Sequence, residues 1–97
     1  MGQAAPLNER QVQDEVARLK HWSLKDGKLH ADLRFNTFTE AFAFMTRVAF
    51  AAEAAQHHPA WHNMYNHVTI DLITHDAGDA ITQKDIELAR QIDDLLG

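Results

Sequence analysis

The sequence predicts an α+β domain, a four-stranded antiparallel sheet with helices packed on one face. Two observations carry this. Apolar residues recur at helical spacing in three stretches and alternate with polar ones in others. The stretches follow the order helix, strand, strand, helix, strand, strand, helix, which leaves the strand order within the sheet open. With 97 residues, 45% of them hydrophobic, the chain can build one modest core, so residues 1–97 read as a single domain.

Residues 1–6 read as a loose start. Asn8 can cap a helix over 9–20, with Gln11 three residues on, Leu7 able to staple against Val12, and Val12, Val16 and Leu19 at helical spacing. Trp22 to Leu24 and Lys28 to Phe35 flank Asp26-Gly27, a strong hairpin signal. In the second run Leu29, Ala31, Leu33 and Phe35 alternate with His30, Asp32 and Arg34, as in a strand with one buried face. Thr37 and Glu40 form a capping box for a helix from Phe38 to about Gln56, stopped by Pro59 and its restriction on His58.

The apolar positions of that helix are Phe38, Ala41, Phe42, Phe44, Met45, Val48, Ala49, Phe50 and Ala52. They cover more than the stripe of roughly 100° that a one-sided helix needs. A second apolar face either packs on another subunit or walls a pocket, and a homo-oligomer is the expectation. Trp61 to Tyr65 reads as a short strand. His67 to His75 reads as a clearer one, with Val68, Ile70 and Leu72 on one face. Asp76 to Asp79 turns the chain, and Thr82 caps a last helix whose buried stripe is Ile86, Ala89, Ile92 and Leu96.

Composition removes several classes of function. There is no cysteine, so disulfides, thiolate metal sites and a Cys nucleophile are excluded. No run approaches eighteen apolar residues, and the first twenty residues lack a basic start followed by an apolar stretch. A cytoplasmic protein without membrane contact is expected. The net charge is −5, and Arg10, Arg18, Lys20, Lys25, Lys28, Arg34 and Arg47 are scattered among acids, so no nucleic-acid partner is expected. Phosphate-loop, nucleophile-elbow and HExxH patterns are all missing. Seven histidines are unusual for this length, and five lie between positions 57 and 75.

Candidate chemistry gathers between positions 53 and 85. Glu53 and His57 are four apart, which on a continuous helix puts both on one face. The carboxylate then orients the imidazole, or the two are an exposed ion pair. His57-His58-Pro59 aims two imidazoles in different directions from a rigid corner. Trp61 offers a flat apolar surface to a planar ligand, or is a core aromatic. His75 ends the second clear strand at the rim of the sheet, whereas His62 and His67 read as solvated surface. Asp85, three residues after Thr82, is a capping-box carboxylate that can also close a site at the helix N-terminus. A site of two histidines and one carboxylate leaves a metal geometrically open, without any metal motif to favour it.

These residues resemble the pterin-4a-carbinolamine dehydratase family. The match runs through Glu53-x-x-x-His57-His58-Pro59-x-Trp61-x-Asn63-x-Tyr65-Asn66-x-Val68, then Thr74-His75-Asp76-Ala77-Gly78, with Ala43 to Ala49 similar to the family's long helix. It covers roughly residues 20–96, and the combination is far more specific than any piece of it. The resemblance implies dehydration of 4a-hydroxytetrahydropterin to quinonoid dihydropterin in tetrahydropterin recycling. It also implies a sheet of four antiparallel strands and usually a homotetramer. Carried over by position, the catalytic set is Glu53, His57, His58, His75 and Asp85. The small-molecule pterin would be contacted by Gln56 to His58 and by Ile73, Thr74, His75 and Asp76, with Trp61 as a stacking surface.

No metal, nucleotide or redox cofactor is implied. His57 and His75 would share the acid and base roles, with His58 holding the pterin and Glu53 orienting His57. Two departures stand out. The segment between His75 and Asp85 is about one residue longer than the family's spacing, and His67 stands where lysine is common. Some animal members also bind a homeodomain transcription factor, a role for which this chain offers no sign. The competing readings are a non-catalytic dimerisation or coactivator module on the same fold, and a small metalloprotein using the same histidines.

Overall fold

The computed structural model describes residues 4–97. Among them the elements are α1 (Glu9–Val16), β1 (Ser23–Lys25), β2 (Lys28–Arg34), α2 (Phe38–Ala55), β3 (Ala60–Met64), β4 (His67–Leu72) and α3 (Gln83–Leu96). A single 3-10 turn, His75–Ala77, lies between β4 and α3. The four strands form one antiparallel sheet in the order β1-β2-β4-β3, so the α+β class and the element order are as the sequence predicts. The loose start expected at residues 1–6 lies partly outside the described residues; Ala4 to Pro6 carry no helix or strand.

Residues directly opposite across an antiparallel pair share a face. Leu29 opposes Leu72, Ala31 opposes Ile70 and Leu33 opposes Val68, and all six are buried. They pack with Ala41, Phe44, Val48 and Ala52 of α2 and with Ile86, Leu88, Ala89 and Ile92 of α3. Each fully buried Leu, Ile, Val or Phe contributes about 1.5–3 kcal/mol, so this stripe, rather than helix propensity, fixes both helices on the sheet. The other sheet face is polar, with His30 Nδ1 2.8 Å from Asp71 and His67 Nε2 2.7 Å from Asp32. The His67 hydrogen bond holds the Asp32 carboxyl below its ordinary value. Two of the seven histidines are thereby committed to cross-strand pairs on this polar face.

Local signals set the boundaries. Asp26 (φ 53°) and Gly27 (φ 77°) are both left-handed, as a two-residue type I′ hairpin turn requires, and Gly27 takes that conformation without a Cβ penalty. Asn8 with Gln11 and Thr82 with Asp85 form complete capping boxes. Three elements differ from expectation. Helix α1 ends at Val16 instead of residue 20, because the Lys20 amide turns away to donate to Asp93 Oδ2 of α3 at 2.8 Å. Strand β4 ends at Leu72, and Thr74 instead pairs with Ala80 across a closed loop, which moves His75 off the strand. In α3, Leu88 is fully buried while Leu96 is only half-buried.

Helix α2 keeps an unburied apolar row. Phe38, Phe42 and Phe50 are 46%, 54% and 74% exposed, far beyond what core packing leaves open. No helix of the described residues is long and apolar enough to cross a membrane.

Candidate active site

The site begins where α2 stops. Gln56 is left-handed (φ 51°), and the His57 amide returns to the Ala52 carbonyl at 3.1 Å, which ends the helix without glycine. Helix termination therefore lies at Gln56, before Pro59 and His58, the residues expected to cause it. Because the register breaks there, Glu53 and His57 do not share a helix face. Glu53 Oε1 instead lies 2.8 Å from His58 Nε2, so the expected orientation of His57 by Glu53 is corrected to a Glu53–His58 pair.

His57 turns inward and is buried. Its Nε2 lies 2.5 Å from Asp85 Oδ1, and Asp85 has no exposed surface. The other oxygen, Asp85 Oδ2, accepts from the Thr82 amide at 2.9 Å and from the Thr74 hydroxyl at 2.8 Å. Asp85 is thus both the capping-box carboxylate of α3 and the partner of His57, because the first turn of α3 packs against the corner after α2.

Gln56, His57, His58, Ile73, Thr74, His75, Asp76 and Lys84 line one cleft of about 210 Å³. It gathers residues from the corner after α2, from the segment after β4 and from the start of α3. His75 reaches it from the 3-10 turn, with Nδ1 2.6 Å from Asp79 Oδ1. Every imidazole of the cleft is therefore backed by a carboxylate: His57 by Asp85, His58 by Glu53, His75 by Asp79. The pairs differ in kind. The side chains of His58 and His75 are 64% and 84% exposed, and such exposed pairs contribute only ~0–1 kcal/mol each. The His57–Asp85 pair is desolvated and fixed from three directions.

Trp61 is not part of this cleft. It pairs opposite Ile70, so the pleat of β3 turns it to the helix side of the sheet. There it lines an adjoining apolar hollow with Phe50, Glu53, His58 and Pro59, so the flat surface expected for a planar ligand lies outside the cleft of His57 and His75. Two residues at or behind the cleft had no expected role from the sequence. Asp79, left-handed at φ 57°, reaches His75 across a 3-10 turn; the four-residue spacing was the only signal. Lys84 reaches the rim because it sits in the first turn of α3. Among the described residues no three His, Asp or Glu side chains stand together as metal ligands would.

The fold and this cleft define a small α+β protein whose concave site gathers three imidazoles, each paired with a carboxylate. The sequence from residue 5 to residue 95 matches the family model for pterin 4 alpha carbinolamine dehydratase. The chain belongs to that family. Its relatives include a "putative pterin-4-alpha-carbinolamine dehydratase" of Synechococcus sp. (strain WH7803), 48% identical over 98% of this chain and 99% of the relative. Another of the same description, from Christiangramia forsetii, is 46% identical over 93% of this chain and 92% of the relative. Among solved structures, a transcriptional coactivator/pterin dehydratase from Brucella melitensis superimposes with a TM-score of 0.89 at 34% identity, covering 95% of this chain and 99% of that one. A pterin dehydratase-like protein identified as a RuBisCO assembly factor in the alpha-carboxysome shares the fold alone, with a TM-score of 0.64 at 22% identity over 79% of this chain and 88% of that one.

Proposed function

We propose that this protein dehydrates 4a-hydroxytetrahydropterin to the quinonoid dihydropterin, as part of tetrahydropterin recycling. The observation that carries the reading is the cleft itself: three imidazoles, each held by its own carboxylate, face one space at a site of this family's fold. The reaction breaks the bond between ring carbon 4a and its hydroxyl oxygen and forms a double bond to the neighbouring ring nitrogen. One proton goes to the departing oxygen, which leaves as water, and one comes off that nitrogen. Imidazoles give and take protons near neutral pH, and each well-placed group contributes roughly 10²–10⁴-fold.

In this reading His57 and His75 exchange the two protons, and His58, oriented by Glu53, holds the pterin. The walls from Gln56 to His58 and from Ile73 to Asp76 contact its ring, and Asp85 positions His57. No metal or redox cofactor takes part. Stopped-flow absorbance of 4a-hydroxytetrahydropterin, with and without the protein, tests this directly. Accelerated decay that persists in a chelator supports the reading. Decay at the uncatalysed rate favours a non-catalytic module, and activity abolished by chelation favours a metalloprotein.

The exposed phenylalanine row of α2 is covered by another copy of the chain in the same reading. Sedimentation equilibrium is expected to return a multiple of the 11.0 kDa chain mass, and a strict monomer at micromolar concentration would contradict it.

A further inference from the structure

We propose that Thr74 is a positioning residue: its hydroxyl, at the end of a directed hydrogen-bond chain, locks the Asp85 carboxylate so that His57 exchanges its proton with substrate through Nδ1 alone. This rests on the dehydratase reading and departs from the expectation that Thr74 uses its side chain to contact the pterin.

The direction of the chain follows from counting hydrogens. Thr74 Oγ1 lies 2.8 Å from Asp85 Oδ2 and 2.8 Å from Thr82 Oγ1. A hydroxyl carries one proton, and a carboxylate only accepts, so the Thr74 proton goes to Asp85. Thr82 must then donate its own proton to Thr74 Oγ1, while its oxygen accepts the Lys84 amide at 3.2 Å. The order is Lys84 N–H to Thr82, Thr82 to Thr74, Thr74 to Asp85. Thr74, Thr82 and Asp85 are all buried, so water does not substitute for a missing link.

The consequence falls on His57. Asp85 Oδ2 already accepts two donors, the Thr74 hydroxyl and the Thr82 amide, which leaves Oδ1 to face Nε2. A carboxylate oxygen there demands a proton on Nε2. Neutral His57 then offers the Nδ1 lone pair and protonated His57 offers Nδ1–H, so the exchanging nitrogen is the same whether His57 acts as acid or base. Thr74 supplies the second donor to Oδ2; without it the Thr82 amide is the only group, apart from His57 itself, that orients the carboxylate.

Long-range proton–nitrogen NMR of the histidine rings tests the assignment, together with kcat and KM in the stopped-flow assay. In the wild-type protein, neutral His57 is expected to carry its proton on Nε2. Thr74→Val, which keeps the shape and removes the hydroxyl, is expected to mix the two His57 tautomers and to lower kcat by about 10–100-fold with KM little changed. Thr74→Ser is expected to restore both readouts. If Thr74→Val fails to fold, Thr74→Ala reads the same quantities. A wild-type His57 protonated on Nδ1, or a folded Thr74→Val with wild-type tautomer and turnover, overturns the proposal. Absence of turnover in the wild type would remove the dehydratase reading and leave the tautomer to decide the role of Thr74.

Discussion

Asp85→Asn is expected to leave the protein folded while lowering turnover by roughly 10²–10⁴-fold. The amide has the shape of the carboxylate, and its oxygen can still accept from the Thr82 amide and the Thr74 hydroxyl. Its nitrogen then faces His57 as a donor, so Nε2 must present a lone pair and the ring proton moves to Nδ1. The neutral imidazole would meet substrate with the wrong nitrogen protonated. Asp85→Ala separates geometry from stability. It strips three donors of their acceptor in a fully buried position, and each buried donor left unsatisfied costs about 1–3 kcal/mol. For a domain of this size the melting temperature should fall by more than ~10 °C, whereas Asp85→Asn should fall far less. Thermal unfolding followed by circular dichroism, beside kcat for both variants, checks the pattern.

The second large effect separates His57 from His75. Each Ala substitution is expected to cut kcat by roughly 10²–10⁴-fold, because each removes a proton carrier. Their effects on stability should differ. His75 is exposed and its Asp79 partner is too, so His75→Ala should change stability by less than ~0.5 kcal/mol. His57→Ala leaves the buried Asp85 carboxylate without its strongest partner and should cost about 1–3 kcal/mol. Equal stability losses, or unchanged turnover in either variant, would contradict the roles assigned to them.

Local chemistry was readable from the residues and longer-range geometry was not. Asp26-Gly27, the Thr37 cap and the Thr82–Asp85 box are short-range devices whose physics is complete within four residues, and they stand where the sequence places them, except that Thr37 caps α2 through the Glu40 amide alone and the expected return bond from the Glu40 side chain does not form. The Glu53–His57 spacing misled because it presumes an unbroken helix, and the left-handed Gln56 rotates everything beyond it. Trp61 misled because a strand assignment does not say which face of the pleat meets the neighbouring strand's apolar side; the β3–β4 register does. The Thr74–Asp85–His57 contacts join residues 11 and 28 apart along the chain. No periodicity encodes them, and they follow only once β4, the 3-10 turn and the start of α3 are packed together. The exposed phenylalanines of α2 lie between these cases: their excess over one stripe was visible, and what covers them was not.

The central claim is that two imidazoles facing one cleft move the protons of a pterin dehydration. The most direct measurement is stopped-flow decay of 4a-hydroxytetrahydropterin with equal concentrations of wild-type protein and a His57→Ala/His75→Ala double variant, both confirmed as folded by circular dichroism. The account predicts rapid decay with the wild type and decay at the uncatalysed rate with the double variant. A double variant that retains turnover within about tenfold of the wild type, a smaller loss than one acid–base group ordinarily causes, would contradict it.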